Sequence, residues 1–225
     1  MTLRGVAVLA AAAVLAGCGG EAAHGTARLW ITRDRGHEVL LTTTVPAGLT
    51  AIQALRREVK LKTRYGGRFV QAIDGIQGSI SRGQDWFWFL NGYEGDRSAG
   101  EYRLHAGDVL WWDYRSWRKV FRAPVVVGAF PEPFVHGYGG KRRPSLVIGP
   151  RGPATRRLAR LLGGARVVAR ASEVGSANVL RIVPARRASF RGEVSGGPGG
   201  RVEFVYRGDP RKLVQGFARF RYELP

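Results

Sequence analysis

The chain has 225 residues, with 36 Lys and Arg against 17 Asp and Glu, and a formal net charge of +19. This length suits one large core or two small ones, at about 100–200 residues per domain. The single cysteine, Cys18, excludes an intramolecular disulfide, so its presence needs another explanation.

The N-terminus has the pattern of an export signal with lipid attachment. Arg4 precedes an apolar run over residues 5–15, and Leu15-Ala16-Gly17-Cys18 follows. The run is shorter than the roughly 20 residues that cross a bilayer, so it predicts a signal peptide over residues 1–17. Cys18 is then the expected lipid attachment site, on a tether of residues 18–26, and places the protein at the extracytoplasmic face of the cell membrane. The alternative is an ordinary signal peptide followed by a buried structural cysteine.

The next segment predicts a hairpin and a helix. Strand-forming residues at 27–33 and 38–45 flank a polar turn. Thr50 can cap a following helix, whose apolar side chains recur at helical spacing. They are Ile52, Leu55 and Val59. A hairpin, one amphipathic helix and further strands are the element order of a β-grasp (ubiquitin-like) domain, which we expect over residues 27–120.

Residues 69–117 hold most of the large aromatic side chains in short strands separated by turns. Because strand side chains alternate, Trp86 and Trp88 share one face of the strand, and Phe87 and Phe89 share the other. Asn91-Gly92 supplies the two residues of positive φ that a type I′ hairpin turn requires. The pattern is typical of a binding module.

A set of motifs follows in fixed order through this segment. They are Ile73-Asp74-Gly75-Ile76, Trp86 and Trp88, Asn91-Gly92, Tyr102, Gly107-Asp108-Val109 and Trp111. With these motifs the first part of the chain resembles the transcobalamin C-terminal-like domain family, which includes the small β-domain that closes over cobalamin in the vitamin B12 carriers. The resemblance implies a β-grasp fold and extracytoplasmic ligand binding, with a corrinoid-like molecule as the candidate ligand. The sequence shows no counterpart of the helical barrel that forms the other half of the site in those carriers.

The aromatic strands supply the candidate ligand-binding residues. They are Trp86, Trp88, Asn91, Tyr93, Trp111, Trp112 and Tyr114. A small sheet with one covering helix leaves large aromatic side chains on its second face. Three uses remain open for them: stacking against a ligand, packing against a second domain, and filling the core.

A boundary near residues 118–124 precedes a second, basic α+β domain of unknown type over residues 125–225. Strands are predicted at 125–127, 145–148, 166–170, 178–183, 189–194, 202–206 and 217–222, with a helix at 153–162. Residues 121–225 hold 20 Lys and Arg against 6 Asp and Glu. This charge favours an anionic envelope polymer or lipid as partner, and the export signal argues against nucleic acid. A chain rich in Arg, Ala and Gly is also what GC-rich coding gives.

No catalytic, metal or cofactor site is predicted. The four histidines lie in tether or turn segments without helical metal-site spacing. Asp85, Asp108 and Asp113 are expected to accept turn hydrogen bonds rather than to act as acid and base. We therefore expect a non-catalytic, lipid-anchored protein that binds a bulky, partly apolar ligand and delivers it to an envelope transporter. The alternative is an envelope adaptor or structural protein without a small-molecule ligand.

Overall fold

The structure, a computed structural model, describes residues 25–169 and 174–225. Within these ranges the fold is α+β, as predicted, and three sheets are accompanied by three short α-helices. Cys18 and the expected signal peptide lie outside the described residues. Across the two described ranges, no helix combines the length and the apolar character that a membrane crossing requires.

The first part of the chain folds around a mixed sheet with β-grasp topology. Its elements are β1 (Thr26–Arg33), β2 (Glu38–Pro46), α1 (Ala51–Glu58), β3 (Leu61–Arg64), β4 (Phe69–Ile73), β5 (Ile76–Gln77), β6 (Gln84–Leu90), β7 (Tyr93–Glu94) and β8 (Val109–Ser116). The strand order of the main sheet is β2-β1-β8-β6-β7. The central pair, β1 and β8, is parallel, and the other neighbours are antiparallel. Strands β3, β4 and β5 form a separate antiparallel sheet.

Local sequence explains both the start of α1 and the turn after β6. Thr50 Oγ1 accepts from the Gln53 backbone N–H at 3.2 Å, and the Gln53 side chain accepts from the Thr50 N–H at 2.8 Å. This is the capping box, and it confirms Thr50 as the N-cap. Asn91 and Gly92 have φ values of 48° and 84°, which confirms the predicted type I′ geometry.

The second part is built on a sheet in which most strands are parallel. Its elements are β9 (Ser145–Ile148), α2 (Pro153–Leu161), β10 (Arg166–Val168), β11 (Asn178–Val183), β12 (Ser189–Ser195), β13 (Arg201–Arg207) and α3 (Pro210–Val214). The order is β10-β9-β11-β13-β12, and β12 alone is antiparallel to its neighbour. This sheet, α2 and α3 enclose a second core, which also contains Tyr93 of β7.

Two predicted strands are wrong. At 125–127 the chain makes a single bridge at Val125 and then a 3₁₀ turn, Val127–Ala129. Val126 packs into one core and Val127 into another, so these consecutive β-branched residues are buried without belonging to a sheet. At 217–222 the chain turns twice, and Phe220 has a φ of 64°, which is incompatible with a strand.

Candidate functional site

The aromatic side chains of β6 and β8 divide between the two faces of the main sheet. Trp88 pairs directly with Trp112 across the two strands, and both point toward the α1 side. Phe89 pairs with Trp111, and both point to the opposite side. The alternation expected from the sequence is confirmed, and the two faces of the sheet are covered by different parts of the chain.

The face opposite α1 is sealed by the end of the chain. Tyr222 contacts Phe89 and Trp111 edge-on, at ring-centroid distances of 5.1 and 5.5 Å. The Tyr222 hydroxyl donates to the buried Asp113 carboxylate at 2.8 Å. Phe220 packs edge-on against Trp30 at 4.7 Å. On this face the aromatic residues therefore pack against the second part of the chain, which is one of the three uses left open by the sequence.

Trp111 belongs to a hydrogen-bonded chain inside this sealed face. It is 0% exposed, and its indole N–H donates to Thr32 Oγ1 at 2.8 Å. Thr32 in turn donates to the Asp113 carboxylate at 2.5 Å, which also accepts from the backbone N–H groups of Arg35 and Gly36. Burial raises the pKa of Asp113 above its usual value, although these donors oppose the shift. Asp113 is a structural anchor for the β1–β2 turn and the chain terminus.

The unpaired edge of β6 opens into a cleft of about 360 Å³, which takes lining residues from both faces of the sheet and which we call the aromatic cleft. It is formed by the unpaired end of β6, by β4, by the chain after β7 and by the segment after β8. Its lining residues are Arg68, Phe69, Val70, Trp86, Phe87, Trp88, Glu94, Gly95, Arg97, Ser98, Ala99, Trp112, Phe121 and Arg122. The volume is that of a site for a small molecule or for one edge of a larger one.

One residue that lines the aromatic cleft, Trp112, carries an unsatisfied donor. Trp112 is 2% exposed, and its Nε1 atom is buried with no hydrogen-bond partner among the described residues. A buried N–H without a partner costs about 1–3 kcal/mol, and such groups are rare in folded proteins. Trp88, which is partly exposed, stacks on Trp112 at 6.3 Å with an interplanar angle of 28°. The cleft thus offers an aromatic surface beside a donor that lacks an acceptor.

Backbone contacts hold one wall of the cleft in place. The Gly95 N–H donates to the Trp88 carbonyl at 2.8 Å, and a Cβ at position 95 would overlap the Trp88 indole. The Ser98 hydroxyl donates to the Arg68 carbonyl at 3.1 Å, which ties the loop after β7 to the start of β4. Glycine at 95 is therefore required for the close approach of the indole ring.

The opposite wall is held by a buried arginine. Arg115 is 1% exposed, and its guanidinium lies over the Phe87 ring at 3.6 Å. It donates to the carbonyls of Val120 and Phe121 at 2.8 and 2.9 Å and lies 3.4 Å from Glu94. These contacts fix the segment after β8, so that the Phe121 ring, 65% exposed, stands at the cleft rim.

The rim carries more positive than negative charge. Arg68, Arg97 and Arg122 line the cleft, against a single acid, Glu94. Glu94 is 6% exposed and is paired with Arg115 and, at 3.6 Å, with Arg122. The Arg68 side chain has no ion pair within the described residues. A ligand with an apolar body and an anionic or hydrogen-bond-accepting group suits this combination.

The cleft gathers only some of the predicted ligand-binding residues. Trp86, Trp88 and Trp112 line it, whereas Trp111 lies in the sealed face. The other three have structural partners, and all three are buried. Asn91 bonds Asp108, Gly137 and Val109, the Tyr93 hydroxyl donates to the Gly200 carbonyl, and the Tyr114 hydroxyl donates to the Gln77 carbonyl.

Sequence reasoning missed most of the cleft walls. Phe69 and Val70 lie on β4, at the start of the aromatic-rich segment, but neither was among the predicted ligand-binding residues. Gly95 gave no signal because its role depends on the Trp88 ring. Phe121 lay in a segment interpreted as a basic domain boundary. Arg115 lies next to Tyr114 in a strand that was predicted from its aromatic residues, and its place in the sequence does not indicate that it is buried.

Two acidic groups outside the cleft, Glu132 and Asp108, accept local hydrogen bonds. The His136 ring lies 2.6 Å from the buried Glu132, and this hydrogen bond raises the pKa of His136 above its usual value. Asp108 accepts from Asn91 and from the backbone N–H of His105. Within residues 25–169 and 174–225, no three His, Cys, Asp or Glu side chains are grouped to hold a metal ion.

Comparisons with known proteins concern the first part of the chain. A family described as a domain of unknown function (DUF4430) matches residues 48–116, just under a third of the chain. This range contains α1 and all the strands of the aromatic cleft, but it ends before Phe121 and Arg122. No curated protein matches the chain.

Two solved structures are similar to this chain at low identity. One is a proposed metal-binding protein from Ruminococcus gnavus, with 15% identity and a TM-score of 0.34, over 41% of this chain and 97% of that chain. The other is haptocorrin in complex with Cbi, with 16% identity and a TM-score of 0.33. That match covers 40% of this chain and 25% of the haptocorrin chain, so it spans only a quarter of the larger protein.

Proposed function

We propose that this protein is a non-catalytic binding protein, held by a lipid on Cys18 at the extracytoplasmic face of the cell membrane. Its aromatic cleft takes up the apolar edge of a bulky ligand that also carries an anionic or hydrogen-bond-accepting group. The observation that carries the proposal is that Trp112, which lines the cleft, has a buried indole N–H without a partner among the described residues. A ligand acceptor that reached this N–H would satisfy a donor that the fold leaves unsatisfied.

The ligand chemistry follows from the lining. Trp88 and Trp112 provide stacked aromatic area, and Phe69 and Phe121 extend that area to the rim. The excess of arginine at the rim favours a carboxylate or phosphate group over a cation. A corrinoid-like molecule, with its flat ring and amide side chains, is the candidate taken from the family resemblance. At about 360 Å³ the cleft would hold one edge of such a ligand and leave the rest to a partner such as a transporter.

Calorimetric titration with cobalamin and related corrinoids tests the assignment. The sample is a form that begins at Gly20, from which only residues outside the described structure have been removed. Trp88→Ala should weaken binding at least about tenfold, because a stacking contact and its buried area contribute about 1.5 kcal/mol or more. Phe217→Ala removes an exposed aromatic ring that does not line the cleft, and it should leave the affinity unchanged. Equal affinities of the parent protein, Trp88→Ala and Phe217→Ala for the corrinoid would show that the aromatic cleft is not the binding site.

The adaptor alternative also has an observation in its favour. Tyr65 is 77% exposed and contacts Phe69 edge-on at 6.5 Å, so apolar surface continues beyond the cleft. A protein partner would cover this extension, whereas a small ligand in the cleft would not reach it. Tyr65→Ser should therefore weaken capture of an envelope partner and leave corrinoid titration unaffected. Absence of corrinoid binding together with a Tyr65-dependent partner would establish the adaptor function instead.

A further inference from the structure

Helix α2 presents two different faces. Its buried residues, Thr155, Leu158 and Ala159, point to the core of the second part. The opposite face carries Arg157, Arg160 and Leu161, which lie together because they are three and four positions apart on the helix. The sequence places Leu161 with Leu158 and Leu162 in the apolar stripe of this helix, but the structure leaves Leu161 38% exposed, and that part of the prediction is wrong.

The exposed face of α2 forms a second cleft together with α3. This cleft, of about 580 Å³, is lined by Pro153, Ala154, Arg157, Arg160, Arg211, Val214 and Gln215. It has an apolar floor and three guanidinium groups, and its lining contains no acid. It shares no residue with the aromatic cleft.

The charges in this second cleft are only partly neutralised. Arg211 is paired with Asp209 at 2.8 Å. Arg157 and Arg160 have neither an ion pair nor a side-chain hydrogen bond within the described residues. Two unpaired guanidinium groups one helical turn apart can bind phosphate oxygens in the forked geometry that arginine favours. Residues 121–225 supply a supporting field, with 20 Lys and Arg against 6 Asp and Glu.

We propose that the α2–α3 face docks on an anionic phospholipid membrane, with Arg157 and Arg160 at the headgroup phosphates and Leu161 in the acyl boundary. A soluble polyanion would need only the charges. The membrane surface also accounts for an exposed leucine beside two unpaired arginines and for the apolar floor, since it offers phosphate and hydrocarbon within a few ångströms. This contact is independent of the aromatic cleft and would orient the second part of the chain against the bilayer.

Vesicle flotation with the form beginning at Gly20 tests the docking without the lipid anchor. It should bind vesicles of phosphatidylglycerol and phosphatidylcholine, and it should not bind phosphatidylcholine alone. The double variant Arg157→Gln and Arg160→Gln should bind about 30-fold more weakly, the equivalent of about 1 kcal/mol per arginine near an anionic surface. Leu161→Ser should weaken binding severalfold without changing its dependence on salt concentration.

The matched control is the double variant Arg56→Gln and Arg64→Gln. Both residues are exposed on the first part of the chain and have no ion pair within the described residues, and the loss of net charge is the same. The control should stay within about twofold of the parent protein. An equal loss in both double variants would show unspecific charge attraction and overturn the proposal. Binding of soluble glycerol phosphate polymer as tight as that of vesicles, unaffected by Leu161→Ser, would assign the face to a polymer and overturn it as well.

Discussion

Two neighbouring tryptophans on β8 allow the unsatisfied donor in the aromatic cleft to be measured. Trp111 and Trp112 are 0% and 2% exposed, and they point to opposite faces of the same sheet. The Trp111 N–H bonds Thr32, whereas the Trp112 N–H has no partner among the described residues. Replacing each with phenylalanine deletes the same atoms from two equally buried positions, so the losses in packing are similar.

The two substitutions should therefore differ through the indole N–H. Trp111→Phe loses a hydrogen bond within the network around Asp113, which costs about 1–2 kcal/mol. Trp112→Phe removes a buried, unsatisfied donor and recovers about 1–3 kcal/mol of its desolvation cost. The free energy of unfolding should thus fall by about 2–5 kcal/mol more in Trp111→Phe than in Trp112→Phe.

Guanidinium denaturation of both variants gives this difference directly, provided that the dependence on denaturant concentration is the same for both. Near-ultraviolet circular dichroism checks that each variant keeps native packing. A difference below about 1 kcal/mol, or one of the opposite sign, would refute the inference that Trp112 carries an unsatisfied donor. In that case the cleft would lose the observation on which the proposed function rests.

Three further predictions concern other parts of the chain. Gly95→Ala should displace the Trp88 ring and weaken ligand binding by about tenfold or more in calorimetry, with a native circular dichroism spectrum; unchanged affinity would contradict the described wall. The raised pKa of His136 means that its pairing with Glu132 stabilises the fold fully below about pH 6.5 and less as the pH rises through the folded-state pKa. His136→Gln should therefore flatten the fall in melting temperature as the pH rises above about 6.5, and an unaltered pH profile would show that the pair contributes nothing. Cys18→Ser should abolish incorporation of labelled fatty acid and release the protein from membranes at high salt, and retention at high salt would indicate another anchor.

The features that the sequence predicts correctly are those set by residues close together in the chain. The alternation of Trp86 and Phe87, the Asn91-Gly92 turn and the Thr50 cap are set by local geometry, and each is confirmed by the structure. The sequence also allowed the division between the two faces to be anticipated, because a small sheet with one covering helix leaves its other aromatic face to be covered. The sequence did not allow us to anticipate which segment of the chain covers that face.

Long-range contacts account for the errors. Val126 and Val127 form a β-branched pair that suggests a strand, yet each residue enters a different core. The same holds near the C-terminus, where Ala218 packs into the core of the second part and Tyr222 reaches the sealed face. In this segment, alternating apolar residues belong to a connection between two cores. Sequence periodicity cannot distinguish such a connection from a strand.

The hydrogen bond from Tyr222 to Asp113 holds the segment around residue 222 against the first sheet. A fragment that stops at the end of the β-grasp segment would leave Trp30, Phe89 and Trp111 open to water, and the Asp113 carboxylate would lose one of its donors. Such a fragment should aggregate through this face, although it contains every strand of its own sheet. The first sheet is therefore completed only by residues that lie about a hundred positions further along the chain.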